Sequence, residues 1–83
     1  MALEDDFKNA VVEVKKTNPS NEEKLKLYGL YKQINDGNCN RSKPWAYQLE
    51  ESAKWKAWDG NRNKSKEECM GLYINLVNII KAK

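Results

Sequence analysis

The stretch YGLYKQ, residues 28–33, lies in the middle of the chain's second helical pattern and places two tyrosines three residues apart, with a lysine directly after the second. At about 100° per residue, Tyr31 lies about 60° and Lys32 about 40° from Tyr28 around a helix axis. The three side chains therefore share one face and one turn. Two interpretations fit this spacing. The tyrosines are half-buried core residues beside a solvated lysine, or the face is a shelf of rings and an ammonium group that holds a flat, charged ligand.

On both sides of this stretch the apolar residues recur at helical spacing, and no strand pattern is present. The first segment carries one stripe, and Thr17-Asn18-Pro19 is expected to end it. The second has a wider apolar face, which predicts neighbours on more than one side. A short third helix is expected at about residues 50–59. The fourth is the most apolar. The stripe residues of the first segment are Leu3, Phe7, Ala10, Val11 and Val14.

Cap signals mark where these helices begin and end. Ser20 with Glu23, and Ser65 with Glu68, have the spacing of capping boxes at the starts of the second and fourth helices. Gly37 and Gly60 follow the second and third helices, where glycine favours a C-terminal cap. The fold class is therefore all-α, with four helices and a long loop between helices 2 and 3. Three apolar residues of that loop, Trp45, Tyr47 and Leu49, are expected to anchor it against the helices.

Composition narrows the class of protein. The chain has 83 residues, of which 40% are hydrophobic and 33% charged, as in a single globular domain covering residues 1–83. The formal net charge is +3 and no histidine is present, so the commonest general base and metal ligand are both missing. The start of the sequence lacks a secretory signal, which predicts a cytoplasmic protein with Cys39 and Cys69 as free thiols. No apolar run reaches the roughly 20 residues of a membrane span.

The order of motifs after YxxYKQ favours the ligand shelf. Lys43-Pro44 comes next, then the tryptophan motif KWKAW at residues 54–58, the cap SKEE at residues 65–68, and YIN at residues 73–75. This order and spacing resembles the acyl-CoA-binding protein family from Pro19 to about Val77. The resemblance implies a bundle of four helices in up-down-down-up order. It also implies a monomer that binds one long-chain fatty acyl-CoA ester, without catalysis, metal or other cofactor.

The resemblance also implies the ligand-binding residues. Tyr28, Lys32 and Lys54 match the positions that hold the 3′-phosphate of the nucleotide head, and Tyr31 and Tyr73 match the positions near the adenine and the head group. A hydrocarbon tail needs an apolar groove beside them. Its candidate lining is Leu25, Leu27, Leu49 and Ala53. Trp55 and Trp58 are interpreted as core residues, by ordinary helix packing.

The sequence departs from the family pattern at several points. The segment between Phe7 and Pro19 is shorter than usual, which leaves open whether Lys15 or Lys16 meets the nucleotide. Lys24 stands where an apolar residue is common near the acyl groove, and Trp45 replaces a smaller loop residue. Lys24 leaves the preferred chain length undecided, and Trp45, with Ala46 and Tyr47, is expected to reshape the mouth of the groove. Gly29 inside the second helix fits either the close approach of a neighbour or simple tolerance.

The predicted function is that of an intracellular carrier and pool former for acyl-CoA. Its partners would be acyl-CoA-using enzymes, with transient membrane contact but no transmembrane segment and no nucleic acid. The alternative is a helical protein-interaction or regulatory module that keeps the fold without the ligand. A nucleic-acid binder is weakly supported because the basic residues form no stripe. An enzyme is disfavoured because no nucleophile stands beside a base.

Overall fold

The computed structural model describes residues 2–83, and within that range it contains four helices and no strand. The helices are α1 (Leu3–Val14), α2 (Asn21–Asp36), α3 (Leu49–Asp59) and α4 (Lys66–Lys81). The predicted all-α class, the four helices and the long connection after α2 are confirmed. Within the described range no helix is both long enough and apolar enough to cross a bilayer.

Serine caps begin α2 and α4, as their sequences predict. The Ser20 hydroxyl accepts from the Glu23 amide at 3.2 Å, and the Glu23 carboxylate accepts from the Ser20 amide at 2.8 Å. This is the complete capping box. At α4 the Ser65 hydroxyl accepts from the Glu68 amide at 3.0 Å, which is the hydroxyl half of the second predicted box. Each cap satisfies an amide that the first helical turn leaves without a backbone partner.

The C-terminal ends of the helices agree less closely with the sequence predictions than the N-terminal ends do. Gly37 follows α2 with φ of 77°, a left-handed conformation that suits glycine, so this predicted stop is confirmed. Gly60 is the C-cap residue of α3, as predicted, but its φ of −64° is right-handed backbone and not the left-handed conformation that favours glycine. The reversal between α3 and α4 falls instead at Asn63, with φ of 71°. The first helix ends at Val14, earlier than the Thr17-Asn18-Pro19 stop.

The helices run in the predicted up-down-down-up order. Lys81 at the end of α4 lies 3.5 Å from Glu13 at the end of α1, so these two helices are parallel. Lys83, after α4, pairs with Glu23 at the start of α2, so α2 runs antiparallel to α4. The third helix packs only against α2 among the helices and runs parallel to it. The second helix therefore has neighbours on two sides, as its wide apolar face predicts.

The core forms between α1, α2 and α4, and α3 is attached to it from one side. Trp58 is the one buried residue of α3, and its indole N–H donates to the carbonyl of Gly37 at 2.8 Å. Its prediction as a core residue is confirmed. The buried apolar residues of the main cluster are Phe7, Ala10, Val14, Leu27, Leu30, Ile34, Cys69, Met70, Tyr73, Val77 and Ile80.

Two expectations about packing are wrong or incomplete. Trp45, Tyr47 and Leu49 do not anchor the loop, because they are 72%, 78% and 78% exposed. Trp55 is half-buried, and its indole N–H donates to the Arg41 carbonyl at 2.8 Å, so it holds the loop after α2 instead of filling the core. The two cysteines, Cys39 and Cys69, are buried free thiols, as predicted.

Gly29 packs directly against the third helix. A Cβ atom at this position would lie 2.1 Å from the carbonyl oxygen of Ala57, which is well inside contact distance. Asn61 is buried beside it and donates its side-chain amide to the same carbonyl at 3.0 Å. Of the two readings left open by the sequence, close approach of a neighbour is the one that the packing supports. The glycine sets the separation of the two helices that carry Tyr28 and Lys54.

Candidate functional site

The second and third helices bring a phenol ring and two ammonium groups together on one side of the molecule. Because α2 and α3 are parallel and closely packed at Gly29, Tyr28 and Lys54 stand beside each other. The Lys54 ammonium lies 5.8 Å from the centroid of the Tyr28 ring. One turn further along α2, the Lys32 ammonium lies 4.8 Å from the centroid of the Trp58 ring. Both are cation–π distances.

Each of these ammonium groups is paired with a carboxylate of its own helix. Lys32 lies 2.5 Å from Asp36, and Lys54 lies 3.5 Å from Glu50. The pKa of Lys32 is raised, chiefly because the Asp36 carboxylate accepts its hydrogen bond, and desolvation acts in the opposite direction. Exposed pairs of this kind are worth only about 0–1 kcal/mol. An incoming phosphate can therefore replace them at little cost.

A small polar cavity of about 50 Å³ lies in front of Tyr28 and Lys54, bounded by the loop after α2. Arg41 and Lys54 both line this cavity. The positive charge of Arg41 acts to lower the pKa of Lys32, so Lys32 lies close to Arg41, although Lys32 itself lines neither this cavity nor the groove described below. A phosphate group is the ligand that such a set of donors suits. The lining is Tyr28, Arg41, Ser42, Pro44, Glu51, Lys54, Trp55 and Trp58.

A larger and more apolar groove of about 490 Å³ begins at the same two residues and runs between the first halves of α2 and α3. Its volume is within the range of about 300–1,000 Å³ that is usual for small-molecule sites. Tyr28 and Lys54 line both spaces, so the polar cavity and the groove adjoin. The groove is lined by Asn21, Lys24, Leu25, Tyr28, Glu50, Ala53 and Lys54.

The groove contains two of the four candidate tail-lining residues. Leu25 and Ala53 line it, but Leu27 is buried in the core cluster on another face of α2, and Leu49 is exposed outside it. The placement of Leu27 and Leu49 along the groove is therefore corrected. Lys24 does border the groove, where its methylene stem can cover apolar surface while the ammonium stays in water.

Tyr31 and Tyr73 lie together with Phe7 in an aromatic cluster. The Tyr31 ring centroid is 6.5 Å from that of Tyr73 and 6.1 Å from that of Phe7. Tyr31 is 43% exposed, whereas Tyr73 is buried. Burial is the main cause that raises the pKa of Tyr73, with Tyr31 adding to it, so the phenol stays protonated at neutral pH.

Whether Lys15 or Lys16 meets the nucleotide stays a prediction. Lys16 pairs with Glu13 at 3.2 Å, and neither Lys15 nor Lys16 lines the cavity or the groove. Sequence reasoning also missed Arg41, Ser42 and Trp55, which line the polar cavity from the loop and from α3. The only signal for Arg41 in the sequence was a basic residue in a loop that is otherwise rich in small polar residues. That signal carries no spacing from which contact can be predicted.

Comparison with known proteins places these features in context. A family sequence model described as Acyl CoA binding protein matches residues 4–77. A Dictyostelium discoideum protein named acyl-CoA-binding protein is 46% identical over 79 residues, covering 93% of this chain and 94% of that protein. The crystal structure of Oryza sativa Acyl-CoA-Binding Protein 2 is 37% identical with a TM-score of 0.89, covering 98% of this chain and 92% of that one. The solution structure of an acyl CoA binding protein from Babesia bovis is 38% identical with a TM-score of 0.83, covering 99% and 96%.

Proposed function

The chain belongs to the acyl-CoA-binding protein family, and we propose that it binds one long-chain fatty acyl-CoA molecule as a carrier and pool former. As a member of a family of binding proteins, it carries out no chemistry on this ligand. The alternative of a module that has kept the fold without the ligand is not favoured. We assign residues 1–83 to a single acyl-CoA-binding domain that acts as a monomer in the cytoplasm and passes its ligand to acyl-CoA-using enzymes.

One observation carries the proposal: a polar cavity lined by Arg41 and Lys54 and an apolar groove adjoin at Tyr28 and Lys54. Acyl-CoA has a polyanionic nucleotide head and a hydrocarbon tail in one molecule, so its binder needs both environments close together. Nucleic acids and free nucleotides have no hydrocarbon tail that would occupy the groove. A free fatty acid carries a single carboxylate, which one cation can pair, so the presence of Arg41 and Lys54 at the cavity with Lys32 close by favours a head with several negative charges.

Within this proposal the residues have distinct roles. Lys32 and Lys54 bind the 3′-phosphate with the Tyr28 hydroxyl, and Tyr31 stacks on the adenine. Tyr73 supports Tyr31 from the core at the ring distance described above and keeps its phenol near the head group. The tail lies along Leu25 and Ala53, with the stem of Lys24 at the border. We further assign Arg41 to the phosphate-bearing part of the head, because it lines the same cavity as Lys54.

Removing either ammonium group is expected to weaken acyl-CoA binding without unfolding the protein. Lys32→Ala and Lys54→Ala should each cost about 1.5–3 kcal/mol of binding free energy, which is the usual worth of a hydrogen bond to a charged group. Calorimetric titration with a long-chain acyl-CoA measures this loss. Thermal melts should change little, because both carboxylate pairs that are lost are partly exposed.

Lys66→Ala is the matched control, since Lys66 opens α4 as an exposed lysine and lines neither the polar cavity nor the groove. It should leave the affinity within about twofold of the original protein. If all three variants lose affinity equally, the ammonium groups act only through net charge and the assigned phosphate contacts are wrong. A collapse of the melting temperature in Lys32→Ala or Lys54→Ala would make these lysines structural.

A further inference from the structure

The segment before α3 presents large apolar side chains to water. Trp45, Tyr47 and Leu49 stand at alternate positions and are 72%, 78% and 78% exposed. A single exposed apolar residue on a protein surface is ordinary. Three within five residues, two of them aromatic, form a patch of the kind that marks an interaction surface. We call residues 41–49 the aromatic segment.

The aromatic segment is held in place by hydrogen bonds, so its exposure is built into the fold. The Trp45 amide donates to the Gln48 side chain at 3.1 Å, and the Gln48 amide donates to the Trp45 carbonyl at 2.9 Å. At the other end, the indole of Trp55 fixes the Arg41 carbonyl at 2.8 Å. Backbone contacts at both ends therefore fix the segment while the rings of Trp45 and Tyr47 remain in solvent.

The charges in this segment favour an anionic partner. From Gly37 to Gln48 the sequence contains Arg41 and Lys43 and no acidic residue. Acidic residues begin again only with Glu50 and Glu51 in α3, and Glu50 is paired with Lys54 at 3.5 Å. Tryptophan and tyrosine are the residues that prefer the boundary between hydrocarbon and water. Combined with basic residues, they match a bilayer surface that carries anionic headgroups.

The aromatic segment is continuous with the ligand site. Pro44, just before Trp45, lines the polar cavity with Tyr28 and Lys54. Glu50, just after Leu49, lines the apolar groove. A surface that docks through Trp45, Tyr47 and Leu49 would therefore lie at the border of the groove. This is where a hydrocarbon tail would pass between a bilayer and the protein.

We propose that the aromatic segment docks the protein onto anionic membranes. Trp45, Tyr47 and Leu49 enter the headgroup boundary, and Lys43, which lines neither the cavity nor the groove, contacts the lipid phosphates. The docking itself needs no ligand and stands independently of acyl-CoA binding. Its use in exchanging acyl-CoA with the membrane rests on the proposed function.

Sedimentation with vesicles tests this docking on the ligand-free protein of residues 1–83. Sucrose-loaded vesicles of phosphatidylcholine alone are compared with vesicles containing roughly one third phosphatidylserine. The original protein should partition onto the anionic vesicles. The double variant Trp45→Ala/Tyr47→Ala should reduce its partition coefficient at least about tenfold, through loss of buried apolar area. Lys43→Gln should reduce the preference for anionic over neutral vesicles.

Leu72→Ala/Ile79→Ala is the matched control, since these residues are 39% and 56% exposed on α4. Its partitioning should stay within about twofold of the original protein. Docking through the aromatic segment is overturned if the original protein does not sediment with anionic vesicles. It is also overturned if the control variant lowers the partition coefficient as much as Trp45→Ala/Tyr47→Ala does. Calorimetric titration of the original protein with acyl-CoA, run separately without vesicles, keeps a failure of the proposed function distinct from a failure of docking.

Discussion

Sixteen-carbon acyl-CoA is expected to bind at least about a thousandfold more tightly than free coenzyme A. Each methylene that enters an apolar groove is worth about 0.8 kcal/mol, so six buried carbons contribute about 5 kcal/mol before the cost of ordering the chain. The groove between α2 and α3 provides the volume for this burial beside the polar cavity. Calorimetric titration with coenzyme A and with acyl-CoA esters of eight, twelve and sixteen carbons measures the effect.

A substitution in the groove distinguishes the contribution of the hydrocarbon tail to binding from that of the nucleotide head. Leu25→Ala removes apolar area from the groove wall. It should weaken the binding of the sixteen-carbon ester by about 1 kcal/mol or more and leave the binding of coenzyme A unchanged. Leu72→Ala is the control, because Leu72 lies on α4 and lines a different groove that does not include Leu25; it should change the affinity for neither ligand. Equal affinities of the original protein for coenzyme A and its long-chain ester would rule out the groove as a tail site.

Gly29→Ala is expected to be the most destabilising single-methyl substitution in the α2–α3 contact. The added Cβ would meet the Ala57 carbonyl oxygen at 2.1 Å and the carbonyl carbon at 2.5 Å. Backbone atoms cannot swing aside as a side chain can, so α3 has to move away. Overpacking of this kind costs about 1–3 kcal/mol, and the upper end is expected here. For a domain of this size, the melting temperature should fall by about 10 °C or more.

Gly71→Ala provides the matched control. Gly71 also lies inside a helix, but a Cβ there would have no neighbour within 4 Å. This substitution should stabilise the protein by about 0.5–1 kcal/mol, because alanine favours the helix. Gly29→Ala should also weaken acyl-CoA binding, since moving α3 separates Lys54 from Tyr28. Stabilisation by both substitutions would contradict the account of the helix contact.

The helices could be predicted from the sequence because their signals are local. Ser20 and Ser65 stand three residues before glutamates, and that spacing alone locates two helix starts. Gly60 is correctly predicted as the cap of α3, but a glycine after a helix is compatible with right-handed backbone as well as with a left-handed cap, so the sequence does not predict its conformation. The reversal at Asn63 depends on the side chain of Asn38, whose Oδ1 accepts from the Asn63 amide at 2.7 Å. That contact joins residues that are far apart in the sequence.

The candidate site was also predictable only where its signals are local in the sequence. Tyr28 and Lys32 share a helix face by spacing, whereas the position of Lys54 beside Tyr28 depends on the packing of α3 at Gly29. Leu25 and Leu27 are about 200° apart on a helix, so one groove cannot contain both. For Trp45, hydrophobicity alone suggested burial. A loop has no periodicity that would show which of its side chains face the core.

The central claim is that Lys54 holds the 3′-phosphate where the cavity and the groove adjoin. The most direct test is calorimetric titration of the original protein and of Lys54→Ala, each with a long-chain acyl-CoA and with the same ester lacking the 3′-phosphate. Lys54→Ala should weaken the complete ligand by about 1.5–3 kcal/mol and the dephosphorylated ligand hardly at all, which gives a coupling energy of the same size. An equal loss for both ligands would show that Lys54 does not contact this phosphate.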